Sequence, residues 1–144
     1  MQAGTIVLVV LAVLVAALVG VALYRLIMLR RGGTAALVRR LPAAPGQGWR
    51  HGLVRYREDE LVFFKLTSLR LGPDVRIDRL SIAIRDRRTP DPSEQDITTE
   101  DTRIVGVHDG HRDYEFALDR GAVTAFSSWV ESRPSSRSLR GRRR

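Results

Sequence analysis

The sequence predicts an N-terminal transmembrane α-helix followed by a small α+β domain, a six- to seven-stranded antiparallel β-barrel closed by a C-terminal helix. Three observations carry this expectation. Residues 6–23 read IVLVVLAVLVAALVGVAL, without a charged side chain. From residue 49 to residue 118, short β-branched and aromatic runs recur between polar turns. Behind Asp119 the apolar spacing becomes helical.

At about 1.5 Å per residue the first run gives roughly 27 Å of helix, close to the roughly 30 Å hydrocarbon core of a bilayer. Tyr24 suits the interfacial aromatic belt, and Arg25 can reach back toward phosphates, so the span is assigned to residues 6–29. A buried helix of a soluble protein is the other reading, and 18 residues without a polar face argue against it. Residues 1–5 carry no Lys or Arg, whereas Arg25, Arg30, Arg31, Arg39 and Arg40 follow the uncharged run. The positive-inside rule then places residues 1–5 outside and the C-terminal domain in the cytoplasm, at the cell membrane. A cleaved signal peptide is the rival reading. It calls for a basic n-region and a shorter apolar core, and Gly20-Val21-Ala22 is a poor cleavage site. Within the span Ala12, Ala16 and Gly20 recur every fourth residue, a small-residue stripe on which two helices can approach closely.

Residues 30–48 read as a basic juxtamembrane linker. Gly32-Gly33 breaks the helix, Thr34 caps a short turn over residues 35–41, and PAAPGQG follows. That short turn reads equally as an interfacial segment or as plain linker, with Leu37, Val38 and Leu41 beside Arg39 and Arg40.

The β-rich domain is assigned to residues 49–133. Residues 50–57 and 61–66 flank Glu58-Asp59 as a hairpin, and residues 68–71 give a candidate third strand. Leu80, Ile82 and Ile84 alternate with Ser81, Ala83 and Arg85, the clearest strand pattern in the chain. Residues 96–98 read as a short strand. Residues 102–107 and 113–118 flank Asp109-Gly110 as a second hairpin. Asp119 is a plausible N-cap, with Leu118 and Val123 placed as a hydrophobic staple. Ala122, Ala125, Phe126 and Trp129 then form one helical face, and Pro134 stops the helix. The tail, residues 134–144, is arginine-rich with almost no apolar side chain and is expected to be disordered. Strands followed by one terminal helix is the order of the pleckstrin-homology-like barrel, an analogy about fold only.

A more specific resemblance covers nearly the whole chain. The stretches YRLIMLRRGGTAALVR, GWRHGLVRY, FFKLTSLRLGPD and YEFALDRGAVTAFSSWVESRPS resemble the uncharacterised actinobacterial family of short membrane-anchored proteins known as domain of unknown function 2550. The resemblance implies an N-terminal anchor and one small domain. It implies no activity.

Composition narrows the function classes. The chain has 144 residues, a net charge of +8 and no cysteine, which excludes a disulfide framework, a thiolate metal site and a cysteine nucleophile. All 16 acidic residues lie between residues 51 and 132, so the basic character belongs to the two flanks. Arginine supplies all the basic residues except Lys65, as a GC-rich genome would produce. His108 and His111 sit in a turn with Asp109 and Asp113, but no fourth metal ligand is identifiable. Glu58, Asp59 and Glu60 read as a solvated turn. No Gly-x-Ser-x-Gly elbow, Walker loop or Gly-x-Gly-x-x-Gly occurs.

The expectation is therefore a non-enzymatic binding module without cofactor or metal, presented to protein or anionic lipid at the cytoplasmic face. The alternative is an accessory or assembly subunit of a larger membrane complex. Arg25, Arg30, Arg31, Arg39 and Arg40 are the candidate anionic-lipid contacts, and Ala12, Ala16 and Gly20 the candidate self-association face. The expected partners are the lipid bilayer and a protein or second copy through the helix. Anchoring restricts access to nucleic acid, so nucleic acid is not expected.

Overall fold

The structure, a computed structural model, describes residues 1–132 apart from the side chains of residues 28–30. Pro134 and the arginine tail predicted for residues 134–144 lie outside the described residues.

Helix α1 spans Gln2–Arg30, slightly longer than the predicted span. From residue 6 to residue 27 its apolar side chains are mostly exposed, on all sides of the helix. By length and composition it can cross a membrane, a property that an N-terminal signal sequence shares.

Seven strands follow: β1 (Thr34–Arg40), β2 (Arg50–Tyr56), β3 (Glu60–Lys65), β4 (Val75–Asp78), β5 (Ala83–Arg88), β6 (Arg103–His108) and β7 (Asp113–Leu118). They form one antiparallel sheet in the order β4-β3-β2-β1-β7-β6-β5. Two meanders, β1 to β4 and β5 to β7, are thus joined where β1 pairs with β7. The sheet is curled. Ile77 of β4 and Ile84 of β5 lie at opposite ends of the strand order, yet pack into the same core as Val54, Phe63, Val105 and Phe116.

Helix α2 (Arg120–Glu131) closes one end of the curl. The Asp119 carboxylate accepts the Ala122 N–H at 2.7 Å, the expected N-cap, which satisfies one of the free donors of the first turn. Phe126 is fully buried and stacks on Phe116 with ring centroids 6.0 Å apart. Trp129 packs on Tyr56, and its indole N–H donates to the Arg57 carbonyl at 2.9 Å. Arg79 donates to the Trp129 carbonyl, so the β2–β3 and β4–β5 turns both meet the helix. Ala125, predicted on the packed face, is exposed; Ala122, Phe126 and Val130 are the buried residues.

Several predicted elements differ. The segment read as linker contains β1, paired on both sides at the centre of the sheet, so the domain begins at Thr34 rather than Trp49. A strand buried on both faces shows a short apolar run instead of alternation, and Ala36, Leu37 and Val38 are that run. Residues 68–71 are loop, not strand. The alternating stretch from Leu80 straddles the β4–β5 turn, and the strand there starts at Ala83. Residues 96–98 close a 3-10 helix over Pro92–Ile97 rather than forming a strand. Pro92 pre-sets its first turn, and Asp91 and Glu94 form a reciprocal capping box. Ile97 and Trp49 cover Leu37, Ile104 and Ala117 on the outer side of the sheet.

Candidate functional site

The end of the curl opposite α2 is open. It is a mouth around a cavity of about 560 Å³. Antiparallel pairing builds it, because the end of β1, the start of β2, the end of β3, the start of β4 and the β6–β7 turn all arrive at one rim. Val38, Phe63, Val75 and Tyr114 supply its apolar wall. Arg40, Arg50, Lys65, Arg76 and Arg112 supply its cationic lining, His111 adds an imidazole, and Asp74 and Asp109 are its acids.

Both acids are already engaged by main-chain donors. The Asp74 carboxylate accepts the Lys65 N–H at 2.8 Å. The Asp109 carboxylate accepts the N–H groups of His111 at 2.8 Å and Arg112 at 2.7 Å. Burial works to raise the Asp109 pKa, but these two hydrogen bonds and the neighbouring His111 and Arg112 charges outweigh it and hold the carboxyl below its ordinary value. Arg76 has an exposed pairing with Glu60 at 3.2 Å. Among the described residues no carboxylate forms an ion pair with Arg40, Lys65 or Arg112. A ring of permanent cations over an apolar wall creates a positive potential that favours phosphate or carboxylate groups.

The candidate lipid contacts separate into two groups. Arg40 lies on the rim, Arg25 stands beside it, and Arg31 is exposed. The Arg30 side chain lies outside the described residues. Arg39 is different, and the expectation for it is corrected. It is only 7% exposed and faces the outer side of the sheet, beneath the loop that carries the 3-10 helix. Its Nε donates to Glu115, its Nη2 lies 3.4 Å from Glu94, and its guanidinium stacks over the Trp49 ring at 4.7 Å. Arg88 completes the cluster with hydrogen bonds to Glu94 at 2.8 and 2.9 Å and to Glu115 at 3.1 Å. Glu94 is 1% exposed. The Arg88 hydrogen bonds outweigh its burial and, with the Asp91 N–H and both arginine charges, hold its pKa at about 2. Arg39 is thus a fold-building residue that also donates to the Ala44 and Gln47 carbonyls of the β1–β2 loop.

Ala12, Ala16 and Gly20 lie on α1 with their surfaces exposed, and a Cβ at Gly20 would meet open space. The turn histidines go different ways: His108 hydrogen-bonds Asp113 at 2.8 Å, whereas His111 lines the mouth. Sequence reasoning missed Arg50, Lys65, Arg76 and Arg112. They are far apart in the chain, and only the strand order gathers them.

Helix α1 fixes which way the mouth points. The Arg25 guanidinium donates to the Lys65 carbonyl at 2.7 Å, at the mouth end of β3. Tyr24 and Arg25 share a crevice with Leu53, Phe64, Arg70 and Leu71. Further along, Gly33 lies against Leu53, Val54 and Arg55, farther from the mouth. The last turns of α1 therefore run down the outside of β2 and β3, and its long apolar part extends beyond the mouth end.

Residues 9–136 match the family model described as protein of unknown function (DUF2550). The chain belongs to this family. It is 49% identical to an uncharacterized protein of Mycobacterium tuberculosis over 97% of this chain and 98% of that protein. It is 46% identical, with the same coverage of both chains, to an uncharacterized protein of Mycobacterium leprae. The family match covers most of α1 together with the mouth and α2, so helix and domain are similar to the relatives as one unit.

Proposed function

We propose that this chain is a single-pass, membrane-anchored, non-enzymatic binding module. Its N-terminus lies outside, its PH-like domain lies at the cytoplasmic face, and the basic mouth holds anionic lipid headgroups. The carrying observation is the ring of cations whose neighbouring acids are tied to main-chain N–H groups, on the side where α1 leaves the domain. Two antiparallel meanders joined through β1 and β7 and closed by a terminal helix support the PH-like reading, which by itself says nothing of the ligand. Arg25, Arg30 and Arg31 after the uncharged run, with no basic side chain before it, support the orientation. Each basic residue held near an anionic leaflet contributes about 1 kcal/mol of attraction, so a rim of several is enough for reversible capture.

Sedimentation of the domain with vesicles tests the reading. Residues 33–132 should pellet with phosphatidylglycerol-containing vesicles, not with pure phosphatidylcholine, and binding should fall steeply with salt. Displacement by short duplex DNA at equal charge would favour nucleic acid instead. A stoichiometric protein recovered with the full chain in mild detergent, without vesicle binding, would favour the complex-subunit reading.

A further inference from the structure

The β3–β4 loop, between Lys65 and Val75 at the mouth end of the domain, is unusually apolar for an exposed loop. Beyond Met1 and α1, the exposed large apolar side chains among the described residues are Leu66, Leu69, Leu71 and Leu80. Three of these four belong to this one loop, with Leu69 at 76% exposure and Leu71 at 62%. No acid occurs from residue 61 to residue 73, while Lys65 and Arg70 are cationic. The base of the loop is fixed from both sides: the Lys65 N–H donates to Asp74, and the Lys65 carbonyl accepts from Arg25. Leucines offered to water on a fixed base are costly unless something apolar covers them.

The position of the loop says what covers it. Leu71 and Arg70 stand in the crevice with Tyr24 and Arg25, where the uncharged run of α1 ends. If α1 crosses a bilayer, this is the level of the headgroups. From the juxtaposition of these leucines with the end of α1, we infer that the β3–β4 loop inserts Leu66, Leu69 and Leu71 into the leaflet that α1 leaves. Lys65 and Arg70 then face phosphates while the leucines reach the acyl boundary. The loop is a second, apolar contact beside the mouth and holds the domain with its cavity against the surface. This inference rests on α1 being a membrane span.

The chain has no cysteine, so single-cysteine variants can carry an environment-sensitive fluorophore without background. Leu69→Cys and Leu71→Cys are labelled in the full chain and reconstituted into phosphatidylcholine–phosphatidylglycerol vesicles, with and without brominated acyl chains. Leu14→Cys marks the middle of the span, and Ser128→Cys, exposed on α2, marks the far end of the domain. The loop probes are expected to emit at shorter wavelength than the Ser128 probe and to lose fluorescence to brominated lipid. Loop probes that match the Ser128 probe, while the Leu14 probe is quenched, overturn the insertion and leave the span intact. A Leu14 probe that is not quenched overturns the span, and the insertion with it. A blue shift at the loop without lipid quenching means the leucines are covered by a second copy of the chain, which also overturns the insertion.

Discussion

Replacing Glu94 by Gln tests the charge cluster that seats the outer loop on the sheet. The substitution keeps the size of the side chain and removes its charge. In the native protein the carboxylate receives hydrogen bonds from Arg88 at 2.8 and 2.9 Å and lies 3.4 Å from Arg39, while being 1% exposed. Its folded pKa of about 2 lies below the ordinary 4.5. A carboxylate with a depressed folded pKa stabilises the fold fully above its unfolded value and loses that stabilisation as pH falls through the folded value. At 1.36 kcal/mol per pH unit this amounts to about 3 kcal/mol, present at neutral pH and lost from about pH 4.5 to about pH 2. Removing one member of a buried ion cluster carries a similar cost, about 3–5 kcal/mol. Urea unfolding of residues 33–132, followed by the fluorescence of Trp49 and Trp129, measures it. E94Q should be less stable by about 3 kcal/mol at pH 7, and its stability should change less on acidification than that of the parent. A variant within about 0.5 kcal/mol of the parent at pH 7, with the same acid profile, would refute the reasoning.

The position of β1 makes residues 33–132 a cooperative folding unit, whereas residues 48–132, which lack the strand joining β2 to β7, should show no cooperative transition in circular dichroism. Phe126→Ala should cost about 3–5 kcal/mol in urea unfolding, because the ring is fully buried against Phe116. Trp129→Phe should cost about 1 kcal/mol, mainly the hydrogen bond to the Arg57 carbonyl. Arg40→Gln with Arg112→Gln should lower vesicle binding and its salt dependence together, and change stability by under about 0.5 kcal/mol, since both side chains are exposed and Arg112 faces Asp109 without an ion pair.

Parts of this protein were legible because one local physical signal decided them. The membrane-length helix needs only its uncharged run, the two hairpins need only strand-forming runs around polar turns, and Asp119 needs only its place before an amphipathic segment. Arg39 shows why other parts were hidden. Beside Arg40, after an apolar helix, it reads as a lipid contact, and the acids that claim it, Glu94 and Glu115, are distant in sequence. A trace was present: Glu115 interrupts the buried run from Tyr114 to Leu118, and an acid buried in a sheet requires a cation. The mouth was hidden for the same reason, since its cations come from five separate segments. Leu69 and Leu71 read as part of a third strand and Leu66 as the end of the second, because period-2 spacing alone cannot distinguish a strand from a loop that presents apolar side chains to something outside the fold.

Amide hydrogen exchange on the full chain in lipid nanodiscs addresses the headgroup-binding mouth most directly. The backbone of residues 48–50 and 109–112 borders the cavity, whereas residues 57–59 and 129–132 lie at the α2 end and serve as the internal reference. Headgroup binding at the mouth predicts slower exchange at the first two segments in discs containing phosphatidylglycerol than in pure phosphatidylcholine, with no change at the reference segments. Equal exchange at the mouth in both kinds of disc, or slowing confined to the α2 end, would contradict it.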